Sequence, residues 1–221
     1  MSLPEHTPGK SPSPSSQDQE RTDTVLPVLP LAILEAVRTH DRPLEVLEEE
    51  DLSASLPRRL GLTGVVETQI LRYRDLAKRG QGVPLAEVEH LLRLVLRRPD
   101  AGAILREAGY DVAHRLLRRR AVRILGHLPV PRRVGRAIAR RTVRRLLQRI
   151  AGRDTALTGP PLTATIRGAV TAIGGENGTA CVLYAAAIEE VVHVVTGQRP
   201  DIRETRCGAR DGDRCEWTLV Q

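Results

Sequence analysis

The sequence predicts an α+β fold in which helices pack on a small antiparallel sheet. Three observations carry that prediction. Up to about residue 150 the apolar residues recur at helical spacing. After Pro160-Pro161 the pattern shifts towards alternation, over Leu162, Ala164 and Ile166. The chain then closes on two short runs, Ile202–Cys207 and Cys215–Val220, flanking Asp211-Gly212, a strong hairpin signal. Helices first, then strand, helix and hairpin, is the order of an α+β domain.

The elements follow in order. Residues 1–25 are rich in Ser, Pro, Thr and Gln and read as a disordered tail, leaving 26–221 as a single domain. Leu31, Ile33, Leu34 and Val37 predict a short helix entered after Pro30. Pro43–Arg59 reads as a second, partly exposed helical segment, and Val65–Lys78 as a third helix. Pro84 opens the clearest one, with Val88, Leu91, Leu92, Val95 and Leu96 on one face and Arg97-Arg98 at its end. Asp100 is placed to cap a helix to about Arg120, with Ile104, Leu105, Ala108, Val112, Leu116 and Leu117 as its buried stripe. A basic helical segment spans 115–150. Its residues 115–149 hold thirteen Arg and no acid, and Pro129 and Pro131 divide it. Arg153–Gly159 reads as a loop, Leu162 to Ile173 as strand, Gly174–Gly178 as a turn, and Ala180–Val195 as an apolar helix stopped by Gly197.

Composition narrows the function. With one Trp, three Tyr and no Phe, the chain lacks the aromatic rows that stack single-stranded bases. Three cysteines are too few, and the wrong parity, for a secreted disulfide scaffold. The polar first twenty residues carry no apolar signal core, and no stretch reads as the roughly 18 apolar residues of a membrane span. The expectation is a cytoplasmic protein. Its net charge of +7 favours polyanionic partners. The segment 115–149 therefore has three readings: nucleic-acid contact, docking on an anionic membrane surface, or a solvated helix face. Nucleic acid ranks lower, because no capped helix-turn-helix is evident.

The closing hairpin holds the most chemistry. Cys207 and Cys215 could clip a metal, form a redox pair, touch a ligand, or be small buried apolar residues. They face each other if the loop has an odd number of residues, and are offset by one across a two-residue turn. Zinc needs four ligands, and only Cys181 and His193 stand out as further candidates. On the apolar helix, Glu189 and His193 are four apart and share a face, so the carboxylate could orient the imidazole as a metal ligand. Tyr184 shares that helix with Cys181 and would line a pocket or fill the core.

These residues also carry a resemblance. Glu204-Thr205-Arg206-Cys207, then Gly212-Asp213, then Cys215-Glu216-Trp217 resembles the closing motif of the 4-vinyl reductase domain family. Ala180–Tyr184 with Ile188, Val191 and Val192 resembles its preceding helix, and Ala108–Ala113 with Leu116-Leu117 its earlier glycine-containing helix. Leu125, Leu128-Pro129 and Pro30–Leu34 are similar to the bacteriochlorophyll-synthesis branch, so the resemblance covers 28–221. It implies a fold shared with TRAPP-complex subunits and haem–nitric-oxide sensory domains, and a hydrophobic pocket between helices and sheet. It further implies action on the vinyl group of a chlorophyll precursor, and pairing as a homodimer. Vinyl reduction needs an electron source, and the sequence shows neither a dinucleotide fingerprint nor an iron–sulfur cysteine set. The expected role is therefore a tetrapyrrole carrier or assembly factor that serves pathway enzymes, with Cys181, Tyr184, His193, Cys207, Cys215 and Trp217 as ligand-contacting candidates. The alternative is a ligand-sensing regulatory module whose arginine helices contact DNA or a membrane.

Overall fold

The computed structural model describes residues 24–41, 64–118, 132–151, 154–173 and 178–220. The tail 1–23, the expected helical segment 43–59, Leu125, Leu128-Pro129 and most of the Gly174–Gly178 turn lie outside the described residues. The α+β architecture is as the sequence predicts. The first described strand, β1 (Thr24–Val25), pairs antiparallel with β2 (Val83–Pro84).

Helix α1 (Val28–His40) starts ahead of Pro30, not after it. A proline is tolerated in the first turn because its missing N–H has no intrahelical acceptor there. The first i→i−4 bond of the helix runs from Leu31 N to Pro27 O at 3.1 Å. Helices α2 (Gly64–Arg79), α3 (Leu85–Val95) and α4 (Ala101–Arg118) follow the sequence expectation. All six residues assigned to the buried stripe of α4 are buried. Asp100 supplies its carbonyl to the first turn of α4, while its carboxylate pairs with Arg98 at 2.9 Å.

Helix α5 (Arg132–Ile150) is the second part of the basic segment. Ala139, Val143, Leu146, Leu147 and Ile150 recur every three or four residues and are buried, so its arginines are left on the opposite, exposed face. The segment read as a loop before Pro160 contains strand β3 (Thr155–Thr158). Four residues with one large apolar side chain give too little periodicity to be seen. β3 pairs with β4 (Thr163–Arg167), whereas Val170–Ile173, expected to continue the strand, forms a 3-10 turn.

Another 3-10 turn (Thr179–Cys181) leads into α6 (Val182–Thr196), which ends at Gly197 with φ +70°. Thr179–Thr196 is, by length and composition, apolar enough to cross a membrane, contrary to the reading that no segment is. Here it is the central helix, buried against α4 on one side, α5 on another and the sheet on a third. The α4–α6 contact is the closest. A Cβ on Gly109 of α4 would lie 2.3 Å from the carbonyl oxygen of Leu183 and 2.8 Å from Ala186 Cβ.

The sheet closes with β5 (Asp201–Arg206), a helical turn α7 (Gly208–Asp211) and β6 (Arg214–Val220), in the order β3-β4-β6-β5. The connection is thus a helical turn, not a two-residue turn at Asp211-Gly212. Ala164, Ile166, Cys215, Trp217 and Leu219 alternate inward and are buried, while Thr163, Thr165, Glu216 and Thr218 face out.

Candidate functional site

Three separate pieces of chain bring the three cysteines together. Cys181 ends the 3-10 turn before α6, Cys207 ends β5, and Cys215 lies near the start of β6. All three are buried free thiols. Cys181 Sγ lies 3.5 Å from Cys215 Sγ and 3.9 Å from Cys207 Sγ. Four ligands placed tetrahedrally around zinc, with Zn–S of about 2.3 Å, put their sulfurs about 3.8 Å apart. The observed separations straddle that value.

A carboxylate joins the thiols. The ligand atoms of Cys181, Glu204 and Cys207 all lie within 4.8 Å of one another. Glu204 Oε1 is buried with no hydrogen-bond partner among the described residues, while Arg210 lies 3.7 Å from Oε2. A buried carboxylate oxygen without a partner is costly unless a cation satisfies it. Two thiols and a carboxylate are donors suited to zinc, and Cys215 Sγ, 3.5 Å from Cys181 Sγ, stands beside the three as the candidate fourth ligand. Gly178 makes room: its φ is +69°, and a Cβ there would sit 2.9 Å from Cys207 Sγ and 3.4 Å from Glu204 Oε2.

The thiols are already polarised. Donation from Cys181, opposed by burial and aided by the Gly208 N–H at 3.2 Å, lowers the pKa of Cys215 to about 7. The same hydrogen bond, together with burial, pushes Cys181 up. The hydrogen bond between them eases loss of a proton from Cys215, and a metal binds thiols in their deprotonated form. Thr171 Oγ1 is 3.6 Å from Cys181 Sγ and anchors it from the neighbouring 3-10 turn.

Sequence reading named the three cysteines and missed Glu204. Glu204 and Cys207 are three apart, so a regular strand would point them to opposite faces. The register shift between Glu204 and Arg206 rephases the strand. Glu204 pairs with inward-facing Trp217, and the Arg206–Glu216 register, carried one step on, sets Cys207 opposite Cys215. The odd, seven-residue connection 208–214 sets the two cysteines opposite each other, and the bulge rephases only Glu204 and the residues before it.

Tyr184 and Trp217, the aromatic candidates, meet edge-to-face with centroids 5.7 Å apart. Both are fully buried, and Tyr184 Oη and Trp217 Nε1 find no partner among the described residues. Burial, with the thiols of Cys181 and Cys215 nearby, pushes the Tyr184 phenol well above its ordinary range, so it stays a donor. His193 is not part of this cluster, since it lies three turns down α6 from Cys181. Its expected partner is engaged elsewhere: Glu189 accepts from Tyr110 Oη at 3.1 Å and pairs with Arg199 at 3.4 Å. The buried His193 Nδ1 has no partner among the described residues. His114, without context in the sequence, lies 3.1 Å from the buried Glu190.

Comparison of the chain with protein-family models, with curated proteins and with solved structures finds no match.

Proposed function

We propose that this chain is a small-molecule-binding domain of the 4-vinyl reductase type, clipped by a structural zinc ion at Cys181, Glu204, Cys207 and Cys215. In this reading it carries or hands over a hydrophobic ligand of the tetrapyrrole-precursor class and does not reduce the ligand by itself. The observation that carries the proposal is the convergence of Cys181, Glu204 and Cys207, with Cys215 Sγ 3.5 Å from Cys181 Sγ. Glu204, Cys207 and Cys215 are the hairpin residues that bear the resemblance, and Cys181 belongs to the helix that also bears it. The unpartnered Tyr184 Oη and Trp217 Nε1 support the ligand half. They lie between the sheet and α6, where the resemblance implies a pocket, and a ligand acceptor there would satisfy them.

Native mass spectrometry of protein purified without chelator tests the metal: one zinc per chain is expected, and none in Cys207→Ser. Titration with protochlorophyllide at micromolar concentration tests the ligand, with a shifted Soret band as the expected result. A metal-free wild-type chain that folds normally would overturn the first half, and an unchanged pigment spectrum the second.

The exposed arginine face of α5 favours a second reading, a sensory module that contacts DNA or an anionic membrane. Salt-dependent binding to duplex DNA, or to vesicles containing phosphatidylserine, without any pigment binding, is the result that would favour it.

A further inference from the structure

At the far end of α6 from the cysteines, a half-open groove of about 970 Å³ runs between α5, the β3–β4 turn and the ends of β5 and β6. Its floor is apolar: Leu162, Val192 and Leu219 lie along it beside Pro160 and Pro161. Val192 and Leu219 belong to the core, so this is an extension of the core surface that the protein itself leaves uncovered. Arg136 and Arg140 from α5, and Arg199 from the α6–β5 connection, also line it. Arg140 donates to Leu157 O at 3.2 Å, a contact that fixes the side chain without neutralising its charge. Arg199 shares Glu189 with Tyr110 and Arg106. Asp201, the one acid among the lining residues, is paired to Arg203 at 2.9 Å. At the carbonyl end of α6, Gly197 N caps His193 O at 2.8 Å and Thr196 Oγ1 donates to Val192 O at 2.7 Å, and the positive charges of the lining arginines oppose the negative end of the helix.

We infer that this groove is a binding site for an amphiphilic organic acid, its apolar body on Leu162, Val192 and Leu219 and its acid group on Arg140 and Arg199. The inference rests on the ligand-binding reading above, names the class of ligand, and places it in this open groove and not at the buried Tyr184–Trp217 pair. An apolar floor alone would accept any greasy molecule. Guanidinium groups from two different elements beside it select for a carboxylate or sulfonate, because their planar forks match an anion's oxygens. The volume lies in the range of sites that enclose a drug-sized molecule.

Two fluorescent probes with the same apolar body separate the contributions: anilinonaphthalene sulfonate, and phenylnaphthylamine, which lacks the sulfonate. The full chain should bind the sulfonate saturably at one site, roughly tenfold tighter than the neutral probe, a ratio within reach of two partly exposed ion pairs. Arg140→Gln with Arg199→Gln should bring the two probes to equal affinity while leaving the unfolding transition in place. Equal affinity in the wild-type chain overturns the inference, as does a double variant that keeps the sulfonate preference or wild-type fluorescence without saturation. The pigment titration distinguishes the levels. A Soret shift that the sulfonate cannot compete away leaves the domain reading standing and removes the groove. A saturable, arginine-dependent sulfonate site in a chain that binds neither zinc nor pigment leaves the groove standing and removes the domain reading.

Discussion

The two ends of α6 solve opposite problems with one helix. At the N-terminal end, Cys181 and Tyr184 are enclosed by β5, β6 and a 3-10 turn, and polar atoms converge inward: three thiols, Glu204 Oε1 and Tyr184 Oη. At the C-terminal end, Val192 and Thr196 line an open groove, and the charges sit around an apolar floor. The closed end has its unmet demand inside, where a cation would satisfy Glu204 and the thiols and an acceptor atom the Tyr184 hydroxyl. The open end has its apolar surface outside, where an amphiphile can cover it. In the proposed reading the closed end contributes to stability and the open end to recognition.

The contrast is broken most severely at the closed end. Cys181→Ala should abolish zinc binding and cost upwards of roughly 3 kcal/mol in denaturant unfolding, because metal affinity is folding free energy. A chelator added to wild type should reproduce that loss and leave the variant's transition where it was. Next comes the packing that joins the two ends. Gly109→Ala places a methyl 2.3 Å from a helix carbonyl that cannot move aside. A loss of about 2–3 kcal/mol is expected in the same assay, with probe binding weakened in parallel because α6 shifts as a unit.

Gly178→Ala sharpens the comparison. It combines a positive φ with a 2.9 Å approach to Cys207 Sγ. It should cost about 1–2 kcal/mol and weaken zinc in a competition titration, yet leave the sulfonate probe unaffected at the other end. The smallest effect belongs to a control away from both. In Glu87 burial pushes the carboxyl up, but hydrogen bonds from Arg72 and Tyr73 outweigh it, and the pKa falls below the ordinary 4.5. That contribution is present above the ordinary value and fades as pH drops below it. Glu87→Gln should cost less than about 1 kcal/mol at neutral pH. Its difference from wild type should shrink in acid, and zinc and probe binding should stay unchanged.

Much of the fold could be read directly. The stripes of α3 and α4 are long and periodic, and Gly197 stops α6 where its φ requires glycine. β3 could not, since Thr155–Thr158 is too short to show alternation and becomes a strand only because β4 lies beside it. Val170–Ile173 erred the other way: apolar residues read as strand form a turn that places Thr171 against Cys181. At the candidate site the cysteines and both aromatics were legible because such residues are scarce in this chain. Glu204 was hidden behind strand parity, and the helical spacing of His193 to Glu189 is silent about Tyr110 and Arg199, which reach the carboxylate.

By itself the sequence determined the helical and strand segments with strong periodicity, the α+β class and the arginine face of α5, since these depend on local spacing and on which residues can be buried. Only the tertiary structure decided that three cysteines 26 and 34 residues apart meet within 4 Å, that a bulge turns Glu204 towards them, and that arginines of α5 and the α6–β5 connection share one groove. Those are properties of register and packing, where one residue's shift along a strand changes which side chains face inward, and no local pattern in the chain encodes that shift.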